Sequence, residues 1–181
     1  MANCQRATMG KPMNADEKVI AARAELDRTL TFFPRVDAKV TALFAINAGM
    51  IGVLAVNVKT SHLSNWVASV PAAIALLGIV SSTVSLYRSS FPNLKGGGGS
   101  LVFFGEIAKR TEGAYMAEFA SQTPAQYADA LLAQVWRNSQ ILGEKFGHAK
   151  LAFQLTAFTL IPWGLFLLAS SLLNGSVPVI K

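Results

Sequence analysis

The chain has 181 residues, 52% of them apolar and only 14% charged, with a formal net charge of +6. Soluble domains carry roughly a quarter charged residues, and no basic face here is interleaved with aromatics, so an ordinary water-soluble globule and a nucleic-acid-binding module are both poor fits. One cysteine, Cys4, excludes an internal disulfide.

Residues 1–39 are polar and charged and contain no apolar stretch of the signal-peptide kind, so they are expected to remain on the protein as a cytosolic helical segment. Asn14 or Asp16 is placed to cap a helix. Val19, Ala22, Leu26, Leu30 and Phe33 recur at three- and four-residue steps as one apolar stripe, and Pro34 is expected to end or kink it. Asp37, beside the first apolar block, needs a partner, for which Arg35 and Lys39 stand nearby in sequence.

Three blocks lack any Asp, Glu, Lys, Arg or His: 40–58, 66–87 and 151–173. At ~1.5 Å per residue each is long enough to cross a ~30 Å hydrocarbon core, and in lipid a helix satisfies its own backbone. The expectation is an all-α membrane protein with three transmembrane helices, the first two forming a hairpin over 40–87. Asn47, in the middle of the first span, sits among small residues. Ala45 with Gly49 and Ala48 with Gly52 are spaced four apart, which marks Asn47, Gly49 and Gly52 as candidates for close helix packing. Ser81–Ser85 of the second span and Gln154 or Thr156 of the third are possible partners for the amide.

Between spans two and three, residues 88–150 read as a helical cytosolic insert. It opens with a glycine-rich hinge over 95–100, "KGGGGS". The run is not a phosphate-binding loop, because no lysine follows the glycines at the spacing such a loop needs. "EGAYMAEFA" is a short helix, and Thr123-Pro124 with Gln126 starts a long one. Tyr127, Leu131, Val135, Asn138, Leu142 and Phe146 lie on one face of it. This helix is expected to run into the third span, which Pro162 should kink. Residues 174–181 form a tail.

The basic residues sort by compartment. Seven precede the first span and seven lie in 88–150, whereas the loop between the first two spans has only Lys59 and the tail only Lys181. By the positive-inside rule the N-terminus is cytoplasmic and the C-terminus periplasmic. No paired carboxylates, metal-ligand cluster or nucleophile–base arrangement is legible; His62 and His148 each stand alone. No catalytic residue, metal or cofactor is expected, and the chain reads as a non-enzyme.

"RVDAKVTALFAINAGMIGVLA", "LVFFGEIAKRTEGAYMAEF" and "LLAQVWRNSQILGEKFGHAKLAF" follow one another in register with the spans. Their order resembles the transmembrane effectors of Pycsar anti-phage defence, from about Glu25 to Leu168. The most specific pieces are Asp37-Ala38-Lys39 with Asn47, the block at 103–108, Tyr115, and Lys145-Phe146. The resemblance implies a bacterial inner-membrane effector that responds to cyclic CMP or cyclic UMP and impairs membrane integrity, causing abortive infection. It further implies a homo-oligomer, since one protomer with three spans makes a poor pore. A cyclic pyrimidine mononucleotide needs a cation for its phosphate and polar or aromatic groups for its base. On the resemblance, Arg35, Lys39, Glu106, Tyr115 and Lys145 are the ligand-binding candidates, with Lys109, Arg110 and Asn138 behind them. The alternatives are a holin-like pore former that needs no ligand and a membrane anchor that docks a cytosolic partner.

Overall fold

The computed structural model describes residues 12–92 and 98–174. Cys4, residues 95–97 of the glycine run and the tail from 175 onward lie outside the described residues. Within them the protein is all-α: α1 (Ala15–Leu30), α2 (Phe32–Asn57), α3 (Thr60–Leu63), α4 (Trp66–Ser90), α5 (Phe104–Ile107), α6 (Glu112–Ala120) and α7 (Pro124–Asn174). Three stretches are long and apolar enough to cross a membrane: Ala15–Asn57, Trp66–Ser90 and Pro124–Leu173. The described residues fall into two compact units, one comprising 12–31 with 98–140, the other 32–92 with 141–174.

In the first unit α1 starts on Asn14, whose side chain accepts from the Glu17 amide (2.8 Å) while Glu17 returns the bond to the Asn14 amide (2.9 Å). This reciprocal box satisfies two of the orphan donors at a helix start. Val19, Ala22 and Leu26 turn inward, but Leu30 is exposed and Thr29 is buried in its place, its hydroxyl donating to the Glu25 carbonyl. The helix breaks at Thr31, earlier than Pro34. Pro34 instead occupies the first turn of α2, where a missing N–H costs no bond. At the start of α7, Thr123 and Gln126 form a second reciprocal box. From there α7 continues as one helix to Asn174, through Gly143, Gly147 and Pro162. Its inward face differs from the sequence stripe at one end: Ile141 and Lys145 are buried, whereas Phe146 is exposed.

The second unit is a three-helix bundle in which α2 and α7 run parallel and α4 antiparallel to both, as the pairs Asn47–Ser82, Asn47–Thr156, Ser82–Ala152 and Ser89–Lys145 require. On α2 the buried residues are Val36, Val40, Leu43, Asn47, Met50 and Leu54. Their alternating steps of four and three trace the seam of helices that pack along their length. On α4 the fully buried positions include Ala68, Ala75, Ser82 and Ser89, seven residues apart and all small. Small side chains let backbones approach, and three serines then reach α7: Ser82 Oγ donates to the Ala152 carbonyl (3.1 Å), Ser85 to His148 (2.9 Å) and Ser89 to Lys145 (3.0 Å).

Asn47 closes the middle of the bundle. Its Nδ2 donates to Ser82 Oγ (2.9 Å), and its Oδ1 accepts from Thr156 Oγ1 (3.1 Å). Ser82 and Thr156 stand 2.8 Å apart, so one amide and two hydroxyls tie together all three helices. Farther along, Trp163 Nε1 donates to the Met50 carbonyl (3.2 Å) and His62 packs edge-on against Phe166 (6.3 Å between centroids). Gly49 and Gly52 do not join this seam. They are exposed on the outer side of α2, with nothing within 4 Å of where a Cβ would stand, because the inward positions on α2 are 47, 50 and 54. The outer surface of the bundle is apolar: Leu77, Phe158, Ile161 and Leu168 are all more than half exposed. In water such a surface would be a liability, whereas lipid is its natural solvent.

The close contact at Gly78 gives a direct test. A Cβ there would stand 2.1 Å from Thr159 Oγ1 and 3.1 Å from Thr159 Cβ. Overpacking costs about 1–3 kcal/mol, against at most about 1 kcal/mol regained from helix propensity. Gly78→Ala is therefore expected to lower the unfolding midpoint in detergent, and adding Thr159→Ala should recover most of the loss. An additive double mutant would show that the two positions do not touch.

Candidate functional site

The residues singled out from sequence fall into two groups, one in each unit. In the second unit, Lys145 is buried on α7. Its Nζ lies 2.6 Å from Asp37 Oδ1 and 5.7 Å from the centroid of the Phe33 ring. Asp37 thus finds its partner on another helix. Arg35 and Lys39 are two residues away on α2, and residues so spaced point to different sides of a helix. Arg35 lies over the Phe32 ring (5.4 Å), and Lys39 over Phe146 (6.0 Å). Beside them a groove of about 510 Å³ is lined by Lys39, Ala42, Leu43, Ile46, Phe146, Ala149, Lys150 and Phe153. With two ammonium groups and apolar walls, it suits an amphiphile with a negative head. Lys145 already has its charge matched, so an anionic ligand there would have to displace Asp37.

In the first unit, Glu106 and Arg110 fasten the described end of the glycine run. Gly99 adopts a positive φ of 78°, a conformation open to glycine and strained for other residues. Its amide donates to Glu106 Oε2 (3.1 Å), and its carbonyl accepts from Arg110 Nη2 (2.9 Å). Arg110 also donates to the carbonyls of Ser100 and Glu106, and its Nε pairs with Glu118 (2.9 Å). Lys109 pairs with Glu106 on the other side. The hydrogen bond from Lys109, followed by that from the Gly99 amide, holds the Glu106 carboxyl below the usual carboxylate range. Glu106, Lys109 and Arg110 are thus committed to a structural clasp.

Tyr115 belongs to a different feature. Its ring stands 5.9 Å from Phe119, one helical turn away on α6, and Phe119 meets Tyr127 edge-on at 5.6 Å. Arg23 of α1 lies over Tyr127, with its Cζ 5.2 Å from the ring centroid. Asn138, farther along α7, is buried and accepts from Gln134 (2.9 Å). Sequence reasoning had Tyr115 but not Arg23, Phe119 or Tyr127 as site residues. The available signal was the i,i+4 pair Tyr115/Phe119 followed by an aromatic just after the Thr123-Pro124 helix start.

Residues 21–170 match the family model of PycTM, the Pycsar effector protein domain. The chain belongs to the Pycsar effector family. No curated protein and no solved structure matches it. The matched stretch contains the Lys145–Asp37 pair, the Gly99–Glu106–Arg110 clasp and the aromatic row. With its three apolar helices, this Pycsar effector is a multi-pass membrane protein of anti-phage defence.

Two outcomes follow from these contacts in the effector. Asp37→Ala leaves the buried Lys145 ammonium without its carboxylate, whereas Lys145→Met leaves a half-exposed carboxylate that water can reach. Asp37→Ala should therefore reduce the unfolding free energy in detergent more than Lys145→Met does, by roughly 1–2 kcal/mol after allowing for the exposure of Asp37. Equal losses would mean that the pair carries no net burial. For Glu106 the depressed pKa means that its contribution is present above the unfolded carboxylate value and is lost as pH falls through the lower folded one. The melting difference between wild type and Glu106→Gln is expected to be largest near neutrality and to shrink as pH falls below the ordinary carboxylate range.

Proposed function

We propose that this effector responds to a cyclic pyrimidine mononucleotide, cyclic CMP or cyclic UMP, and then impairs the inner membrane, ending the infection with the cell. The family match over 21–170 is the observation that carries this reading. The charge distribution favours a cytoplasmic N-terminus, a periplasmic C-terminus and a cytosolic position for residues 88–150. The protein acts by binding and rearrangement rather than by catalysis, and needs no cofactor. What binds is the messenger itself.

The interior of the three-helix bundle is filled. Phe166, Ile79, Leu86 and Val36 are fully buried along it, and the Asn47 network occupies its middle. A protomer packed in this way has no lumen to open. Damage to the membrane therefore involves several copies, assembled through their lipid-facing surfaces, or a repacking of this bundle when ligand binds. A ligand shifts such an equilibrium only as far as its affinities for the two states differ.

Calorimetric titration of the detergent-purified full chain with cyclic CMP, cyclic UMP, cyclic AMP and cyclic GMP tests the proposal, paired with dye release from vesicles holding the protein. Binding of one pyrimidine ligand, with release only in its presence, is the expected result. Release without any nucleotide would favour a constitutive pore former, and folded protein that binds none of the four would overturn the messenger reading.

A further inference from the structure

The geometry points to the turn between α6 and α7, in the first unit, as the place where the nucleotide binds; this rests on the messenger reading above. A pocket of about 300 Å³ lies there, and its walls include Asp16 and Arg23 of α1, Phe119 of α6, Gln122 of the turn and Tyr127 of α7. Small-molecule sites occupy about 300–1,000 Å³, so this one is sized for a single nucleotide.

Each wall supplies a different part of the recognition. Arg23 has no carboxylate partner among the described residues and is held instead on the face of Tyr127. Its guanidinium is free to give two parallel hydrogen bonds to a cyclic phosphate, a geometry that arginine favours. Phe119 is exposed at 41% and presents a ring on which a base can stack. The Gln122 Oε1 atom is buried and has no hydrogen-bond partner among the described residues. Leaving a buried acceptor unmade is unfavourable, and a base-edge N–H, from uracil N3 or the cytosine amino group, would satisfy it. Asp16 would repel a phosphate placed beside it. It therefore sets the orientation, with the phosphate toward Arg23 and the free ribose 2′-hydroxyl toward Asp16.

The groove of the second unit is the weaker site for this ligand. Ala42, Leu43, Ile46 and Phe153 in its walls belong to apolar spans, where a hydrated nucleotide would have to shed its water, and its ammonium groups leave a base edge without an acceptor.

The test is titration of the full chain in detergent with cyclic CMP and cyclic UMP, comparing wild type with Arg23→Ala, Gln122→Met and Lys150→Ala, each with its melting temperature. Arg23→Ala should weaken binding by roughly 10- to 100-fold, the loss of a charge-assisted pair of bonds. Gln122→Met should weaken binding while leaving the melting temperature unchanged or higher, because it removes an unsatisfied buried carbonyl. A purely structural glutamine would not behave this way. Lys150→Ala, in the other groove, should bind as wild type does. Wild-type binding that survives both Arg23→Ala and Gln122→Met overturns this site and leaves the messenger reading standing. Wild type that binds neither nucleotide overturns both.

Discussion

The second unit depends on how closely α4 can approach its neighbours. Inside lipid there is no hydrophobic force to push helices together, because lipid tails are as apolar as leucine. Attraction must come from packing and from polar contacts that lipid cannot supply. A row of alanine and serine at seven-residue intervals brings the α4 backbone near enough for serine hydroxyls to reach carbonyls on α7. The Asn47 amide then adds α2 to the same cross-section. Replace the small row with leucine and both sets of bonds become unreachable.

Much of this was legible in the residues. Uncharged blocks of membrane-crossing length announce three spans whatever their neighbours, because the signal is local and additive. Asn47 was legible for a similar reason, since an amide at mid-bilayer needs a partner and only a few side chains could supply one. The glycines beside it take no part in packing within the chain. Gly49 and Gly52 have the spacing that permits close approach, but spacing does not say which face of the helix turns inward. That is decided by the partners, and here the partners of α2 meet 47, 50 and 54. The break at Thr31 was hidden by the same kind of ambiguity, because proline stops a helix it interrupts and starts one it opens.

The site was less legible. Charges near a membrane edge can be enumerated from sequence, but their pairing depends on which helices meet. Asp37 was read against its neighbours on α2 and is matched from α7 instead. Glu106 and Arg110 carry the chemistry of a ligand site, yet they are engaged in holding a turn at Gly99. Conversely, Arg23 counted only as one of the seven basic residues before the first span, and the fold sets it on a tyrosine more than a hundred residues later in the chain.

The serine contacts also have a meaning for how the molecule is made. The hairpin of α2 and α4 is synthesised first, and in it Asn47 can already find Ser82. The carbonyls that receive Ser82, Ser85 and Ser89 belong to a helix that leaves the ribosome later. Until then those hydroxyls must turn back on their own helix, as serine can, and the hairpin waits in the bilayer with its third side uncovered. A chain that stops short of α7 thus keeps these hydroxyls on their own helix and never gains the contacts that tie α4 to its later partner.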